Sequence, residues 1–252
     1  MSTPSLGLQL YTMRSVDIGI EELLEHVAGA GYQGVETVGT QGLEPGRLRA
    51  ALEHAGVALA SAHVPLTDLR SDLKALCATH RALGTPLLVM PWLAPEDRPR
   101  DLTGWTDLGR ELGGYGRSLA EEGLGLAYHH HDFELERHAG ADGLTALLEA
   151  APAEHLTVEL DTGWLMAVGE DPLAWLTRWG PRTTRLHLKD LVRGNDPPWV
   201  DVGDGELDLA GVLAAARDNV VPWLVVEHDS PSDPLATMRR SAVATLKALR
   251  PG

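Results

Sequence analysis

Residues 156–190 open with Leu156-Thr-Val-Glu-Leu-Asp161, pass through a helical pattern at 172–179, and close with Arg185-Leu-His-Leu-Lys-Asp190. Two short apolar runs separated by a helical segment are what two parallel strands joined by a crossover helix look like in sequence. Side chains alternate along a strand. Val158 and Leu160 therefore share one face, and Glu159 and Asp161 share the other. In the second run Leu186 and Leu188 point toward covering helices, while Arg185, His187 and Lys189 point the opposite way.

The same unit repeats outward in both directions. Apolar runs at 6–10, 34–37, 57–63, 87–91, 124–131, 156–161, 185–190 and 223–228 alternate with helical patterns at 20–30, 44–55, 68–83, 107–122, 143–150, 172–179, 207–218 and 234–249. Eight repeats in 252 residues match a (β/α)8 barrel of the α/β class, with one domain expected over residues 1–252. Gly31, Gly56, Gly84 and Gly123 stand where helices must stop before the next strand. The alternative is an open doubly wound sheet. That fold usually carries a Gly-rich phosphate turn after its first strand, whereas here the first strand runs into Leu-Tyr-Thr-Met-Arg14. Two irregular stretches, 95–104 and 193–206, read as long loops on the face where barrel enzymes hold their sites.

Composition narrows the function. The chain has 21 Lys+Arg against 36 Asp+Glu, a formal net charge of −15. Such a surface opposes phosphate backbones and anionic membranes, so neither nucleic acid nor membrane is an expected partner. A single cysteine, Cys77, excludes an intramolecular disulfide and a thiolate-rich metal site, and its helical setting reads as core. No run approaches the roughly 18 apolar residues of a membrane span. The N-terminal stretch lacks a secretory pattern, and the C-terminal Leu-Arg-Pro-Gly carries no lipidation box. The expectation is a soluble cytoplasmic protein.

The polar ends of the apolar runs carry the chemistry. They are Glu36, His63, Tyr128-His-His-His-Asp-Phe-Glu134, Glu159 with Asp161, His187 with Lys189 and Asp190, and Glu227-His-Asp229. Buried charges are costly unless paired or bound to metal. Carboxylates with an imidazole and no thiolate suit a divalent cation such as Mn, Mg, Co or Zn. Ordinary alternatives exist for single residues. Glu36 would serve equally as a salt-bridge partner, His63 as a packing residue, Glu159 as a partner for Lys189 or Arg185, and Lys189 as a counter-charge to Glu159 or Asp190. His129 and His131 share a face, and His130 should turn away from it. The chain has seven tryptophans. Trp92, Trp105, Trp164 and Trp199 fall at strand ends or loops, where indole suits a sugar ring. Trp175 and Trp179 read as core.

These motifs, with Leu8-Gln-Leu-Tyr-Thr-Met-Arg14, Gly31-Tyr-Gln-Gly-Val-Glu36, Ser61-Ala-His63 and Glu159-Leu-Asp-Thr-Gly-Trp164, resemble the sugar phosphate isomerase/epimerase family, the xylose isomerase-like barrels. The likeness runs from about Leu6 to about Leu249. It is closest to the branch near inosose dehydratase-like and 3-keto-glycoside-processing proteins. The resemblance implies one divalent metal held by Asp161, His187, Glu227 and a group from strand five, assigned to Glu134 with His131 as competitor. It implies Glu134, Glu227, His131 and Lys189 as catalytic groups. Glu36, His63, His129, Trp164 and Asp190 are the implied substrate-binding groups.

Trp164 stands where the ketose epimerase branch has a substrate-binding His. The implied reaction is isomerisation or epimerisation of a sugar or keto-sugar through a metal-stabilised enediolate. Dehydration of a keto-polyol or 3-keto-glycoside is the alternative on the same site. A non-catalytic sugar-binding barrel is a further one. An apurinic endonuclease-like activity on this barrel conflicts with the acidic charge. A small carbohydrate is the expected partner, and a homodimer fits the family.

Overall fold

The computed structural model describes residues 3–138 and 140–250. The outermost residues of both terminal stretches read above lie outside them. Eight parallel strands close into a barrel: β1 (Ser5–Gln9), β2 (Gly34–Val38), β3 (Ala58–His63), β4 (Leu87–Met90), β5 (Gly125–His129), β6 (Thr157–Asp161), β7 (Thr183–Leu188) and β8 (Trp223–Val226). β1 pairs with both β2 and β8, which closes the ring. The predicted runs at 87–91, 124–131 and 223–228 extend past the ladder, which ends at Met90, His129 and Val226. His130, His131, Glu227 and His228 therefore sit on the segments rising from the barrel mouth.

The covering helices are α1 (Ile20–Gly29), α2 (Pro45–Ala55), α3 (Leu66–Ser71), α4 (Leu73–Leu83), α5 (Leu102–Glu121), α6 (Gly143–Glu149), α7 (Thr162–Ala167), α8 (Pro172–Trp179), α9 (Leu209–Asp218) and α10 (Pro234–Leu249). The stop glycines behave as expected: Gly31, Gly56, Gly84 and Gly123 all have positive φ. Two helix predictions need correction, each because of a capping aspartate. The pattern at 68–83 splits at Asp72, which is not helical and accepts the Ala75 N–H at 3.0 Å to start α4. α5 begins at Leu102, because Asp101 accepts the Gly104 N–H at 2.9 Å. The predicted loop 95–104 is correspondingly shorter and contains a 3-10 turn at Pro95–Asp97.

Leu6, Leu8, Val35, Leu88, Leu126, Val158, Leu160, Leu186, Leu188 and Leu224 are fully or almost fully buried in the layer between strands and helices. Each such side chain contributes roughly 1.5–3 kcal/mol on burial. Trp175, Trp179 and Cys77 join this core as expected. So does Trp105, 1% exposed, which removes it from the set of sugar-facing tryptophans.

α5 lies close against the segment that follows α6: a Cβ on Gly116 would collide with the His155 carbonyl. The barrel interior is largely polar. A small apolar cluster of Leu87, Val89 and Ala127 fills part of it. Arg185 crosses it to bond Ser61 Oγ at 3.3 Å and the Ala60 carbonyl. Among the described residues no helix is long and apolar enough to cross a membrane.

Candidate metal centre

His187 stands at the centre of the barrel mouth, fully buried. Its Nε2 lies 2.8 Å from Glu36 Oε1 and 3.0 Å from Glu159 Oε1. Both partners are carboxylates, which accept only, so a proton on Nε2 is satisfied there. The other nitrogen, Nδ1, faces Glu227 Oε2 at 3.2 Å and Asp161 Oδ2 at 3.7 Å. Both nitrogens thus face carboxylates; with a cation in place of the Nδ1 proton, the carboxylates on Nε2 would be the usual support of a metal-binding histidine. Burial alone would lower the His187 pKa, but Glu159, Glu227 and Glu36 together hold it well above the ordinary value.

Below His187 lies a closed network. Glu36 Oε1 accepts from Gln9 Nε2 at 2.7 Å, and Glu36 Oε2 accepts from Ser61 Oγ at 2.5 Å. His63 Nε2 bridges Glu36 at 2.8 Å and Glu159 at 3.1 Å. Burial opposes a charge on His63, but Glu36 and Glu159 raise its pKa to about 10. Strand register brings these groups level: Gln9 lies beside Glu36, Glu36 beside Ser61, and His129 beside Glu159.

Above it, His129, Asp161, His187 and Glu227 each offer one donor atom, all within 4.8 Å of one another. Asp161 divides its work. Oδ1 caps α7 by accepting the Trp164 N–H at 2.9 Å. Oδ2 is buried without a hydrogen-bond partner, as are His129 Nδ1 and Glu159 Oε2. His129 Nδ1 is 3.1 Å from Glu159 Oε1, and Asp161 Oδ2 is 3.3 Å from Lys189 Nζ. Neither contact has hydrogen-bond alignment. Orphaned polar atoms in a dry interior are costly. Two carboxylates and two imidazoles converging on one point fit a divalent cation of the Mn, Co, Zn or Mg type.

Lys189 is the fixed cation beside this group. Its Nζ lies 2.8 Å from Glu227 Oε2 and 3.1 Å from Asp229. Burial works against its charge, but Asp161, Glu227 and Asp229 push its pKa above the usual lysine range. Gly163 makes the space: a Cβ there would lie 2.6 Å from Lys189 Cγ. Five carboxylates (Glu36, Glu159, Asp161, Glu227 and Asp229) thus share the mouth with two permanent cations, Lys189 and Arg185.

A cavity of about 490 Å³ opens above the cluster, lined by His63, His129, His131, Trp164, Glu227 and Asp229 together with Tyr11, Val38, Pro91 and Trp92. Trp164 packs edge-on against Trp199 with centroids 4.7 Å apart, and Lys189 Nζ lies 5.1 and 5.2 Å from the two rings. His131 Nδ1 and Trp164 Nε1 have no hydrogen-bond partner. Burial, then His129 and Lys189, holds the His131 pKa well below its ordinary value.

The structure brings together Asp161, His187, Glu227 and His129, with Glu36, His63 and Lys189 in direct contact with members of that group. It does not bring Glu134 there. Glu134 is fully buried in a 3-10 turn, where Tyr128 Oη donates to Oε1 at 2.7 Å and the His131 N–H donates to Oε2 at 2.8 Å. Burial is the main reason its pKa rises to about 7. Asp190 also turns away from the cavity. Its carboxylate accepts N–H groups of Leu191, Gly203, Gly205 and Leu207 at 2.9–3.1 Å and so anchors the loop that carries Trp199.

His130 faces away as expected. It accepts the Asp161 N–H on Nε2 at 3.0 Å and packs on Trp175. Glu159 pairs with the histidines rather than with Lys189 or Arg185. The pairing alternatives for Lys189 are replaced by Asp161, Glu227 and Asp229. Sequence reading did not single out Gln9 or the role of Asp229. The signal for Asp229 was its place two residues beyond Glu227, on the same side of the chain.

The comparisons with known proteins agree with this architecture. A rhizopine catabolism protein, MocC, of Rhizobium meliloti is 26% identical over 262 residues, covering 84% of this chain and 75% of that protein. An inosose dehydratase of Lacticaseibacillus casei is 25% identical over 250 residues, covering 84% of this chain and 83% of that protein. The inosose dehydratase of Clostridium tetani aligns over 47% of its own length at 27% identity. A crystal structure of a sugar phosphate isomerase/epimerase from Parabacteroides distasonis superposes with a TM-score of 0.84 at 18% identity, covering 99% of this chain and 96% of that one. This last likeness speaks for the fold alone. The model of the xylose isomerase-like TIM barrel family matches residues 24–249, and with the closed barrel and its acid–imidazole mouth, the chain belongs to that family.

Proposed function

We propose that this protein is a divalent-metal-dependent isomerase or epimerase of a sugar or keto-sugar, with the cation held by His129, Asp161, His187 and Glu227. One observation carries the reading: Asp161 Oδ2 and His129 Nδ1 are buried without a hydrogen bond, in a group whose donor atoms, with those of His187 and Glu227, lie within 4.8 Å of one another beside a cavity of about 490 Å³ that His129 and Glu227 line. In this set His129 takes the strand-five position for which Glu134 was expected. A divalent ion bound there would supply Lewis-acid stabilisation of negative charge on substrate oxygens.

The protein's own groups do the rest. Glu36 and Glu159 hold the proton of His187 on Nε2 and fix the ring. Lys189 keeps Glu227 ionised, so that this carboxylate can take the proton from a carbon next to a carbonyl. His131, neutral and with Nδ1 free, faces the same cavity and can accept a substrate hydroxyl proton, while Glu227 gives the proton it took back to carbon. Lys189 acts as a fixed positive charge and not as a proton carrier. Trp164, backed edge-on by Trp199, gives the cavity an aromatic face against which a pyranose or cyclitol ring packs.

A second reading, dehydration of a keto-polyol, is favoured by the inosose dehydratases among the relatives. It uses the same proton abstraction and differs in expelling a β-hydroxyl. The test incubates metal-loaded protein in deuterated water with keto-sugars and keto-polyols, and reads carbon-bound deuterium by NMR. Label in an intact epimer or isomer supports the first reading, and an unsaturated product supports the second. An epimer or isomer formed without any label from solvent would contradict the first reading, and turnover without an unsaturated product would contradict the second.

A further inference from the structure

The cavity has two zones of opposite character. Its floor is His63, His129, His131, Glu227 and Asp229, while its rim is Tyr11, Val38 and Trp92. These three rim residues are 44%, 45% and 45% exposed. Tyr11 and Trp92 are the aromatic members of the exposed large apolar set among the described residues. An apolar collar on an acidic protein calls for a reason.

Both rings are also held in place. The Arg14 guanidinium lies 4.0 Å from the Tyr11 ring centroid, and its Nη1 donates to the Tyr11 carbonyl at 2.9 Å. Arg98 lies 5.4 Å from the Trp92 ring and 3.7 Å from that of Phe133, and its Nε donates to the Leu93 carbonyl at 3.1 Å. Backing an exposed aromatic with an immobilised guanidinium fixes a binding face before any ligand arrives. Tyr11 and Val38 also border an adjoining groove of about 510 Å³ that joins Met13, Ile18 and Leu43 with Arg14, Glu21 and Arg47.

We infer that the substrate is a glycoside with an aromatic aglycone, its sugar ring on the polar floor and its aglycone between Tyr11 and Trp92. This rests on the carbohydrate reading above and names its substrate class. A free monosaccharide or cyclitol would use the floor and leave the collar wet. An aryl glycoside uses both zones, and its planar group stacks on fixed aromatic faces.

The test measures binding to the manganese-loaded protein by calorimetry. It uses methyl and phenyl 3-keto-β-D-glucopyranoside, with the unoxidised pair and myo-inositol alongside. The phenyl member of a pair should bind at least about tenfold tighter than the methyl member. Trp92→Ala and Tyr11→Ala should each lower that ratio severalfold, and the double variant should bring it near one. Retained metal content and melting temperature check that the variants are folded. A wild-type ratio near one, or a ratio unchanged in the double variant, overturns the inference and leaves the carbohydrate reading standing. Failure to bind any glycoside or polyol overturns that reading and this inference with it.

Discussion

Asp161 shows how one side chain serves two purposes. One oxygen caps α7 and the other is left for a cation. Asparagine caps a helix as well as aspartate but brings no charge. Asp161→Asn should therefore fold, with a melting temperature in chelator within a few degrees of the wild type. It should lose activity by at least about a hundredfold, read as kcat/KM. Glu134 gives a pH prediction. Burial pushes its carboxyl up from 4.5 to about 7, so the folded state binds this proton more tightly than the unfolded chain. The resulting stability is fully present below about pH 4.5 and fades as pH rises through 7. Glu134→Gln can still accept from the His131 N–H, with the Tyr128 hydroxyl reversing its role. It should gain stability relative to wild type between pH 5 and pH 8, by up to about 3 kcal/mol, in urea melts at the two pH values. No relative gain would place Glu134 in a wetter setting than its burial implies. At this scale the inward set was legible from alternation alone: Glu159 with Asp161, and Arg185 with His187 and Lys189. Cross-barrel partners were not, because strand periodicity says which face a residue takes and nothing about who stands opposite. The surroundings of Glu134 and Asp190 were hidden for the same reason. A carboxylate just past a strand end reads alike whether it faces a ligand or accepts backbone N–H groups.

At the scale of elements, the loop after β7 depends on Asp190, which gathers four backbone N–H donors. Hydrogen bonds to a charged acceptor contribute about 1.5–3 kcal/mol each in isolation. Asp190→Ala should loosen residues 191–207 and with them Trp199. Limited proteolysis should cut this loop faster, and KM should rise by more than kcat falls. The turn before β8 carries Val220 at φ 57°, 61% exposed. A β-branched residue in the left-handed region costs roughly 1–2 kcal/mol. Since little burial is lost, Val220→Gly should raise stability by about 0.5–1 kcal/mol, after glycine's own entropic cost. A lower urea midpoint for this variant would contradict that assignment of strain. The strands were legible to within a few residues because parallel strands covered on both sides are near-continuous apolar runs. Helix starts were less so. α5 and α4 begin at capping aspartates whose effect lies in one hydrogen bond and not in periodicity.

At the scale of the whole molecule, the barrel brings acid and imidazole groups from six strands to one mouth, where no pair of neighbouring strands could collect them. Asp161 Oδ2 and His129 Nδ1, on two of those strands, are left there without hydrogen bonds. A cation that binds the folded state and not the unfolded chain should stabilise the protein by mass action. Chelator should therefore lower the melting temperature of wild type and leave that of Asp161→Asn almost unmoved. The central claim is the cation itself. Its most direct test is elemental analysis of protein purified without chelator and then loaded with Mn, Co, Zn or Mg, beside Asp161→Asn and His187→Ala. About one ion per wild-type chain and nearly none in either variant is the expected result. A folded wild-type protein that retains no ion under any loading, or variants that keep a full complement, would contradict it.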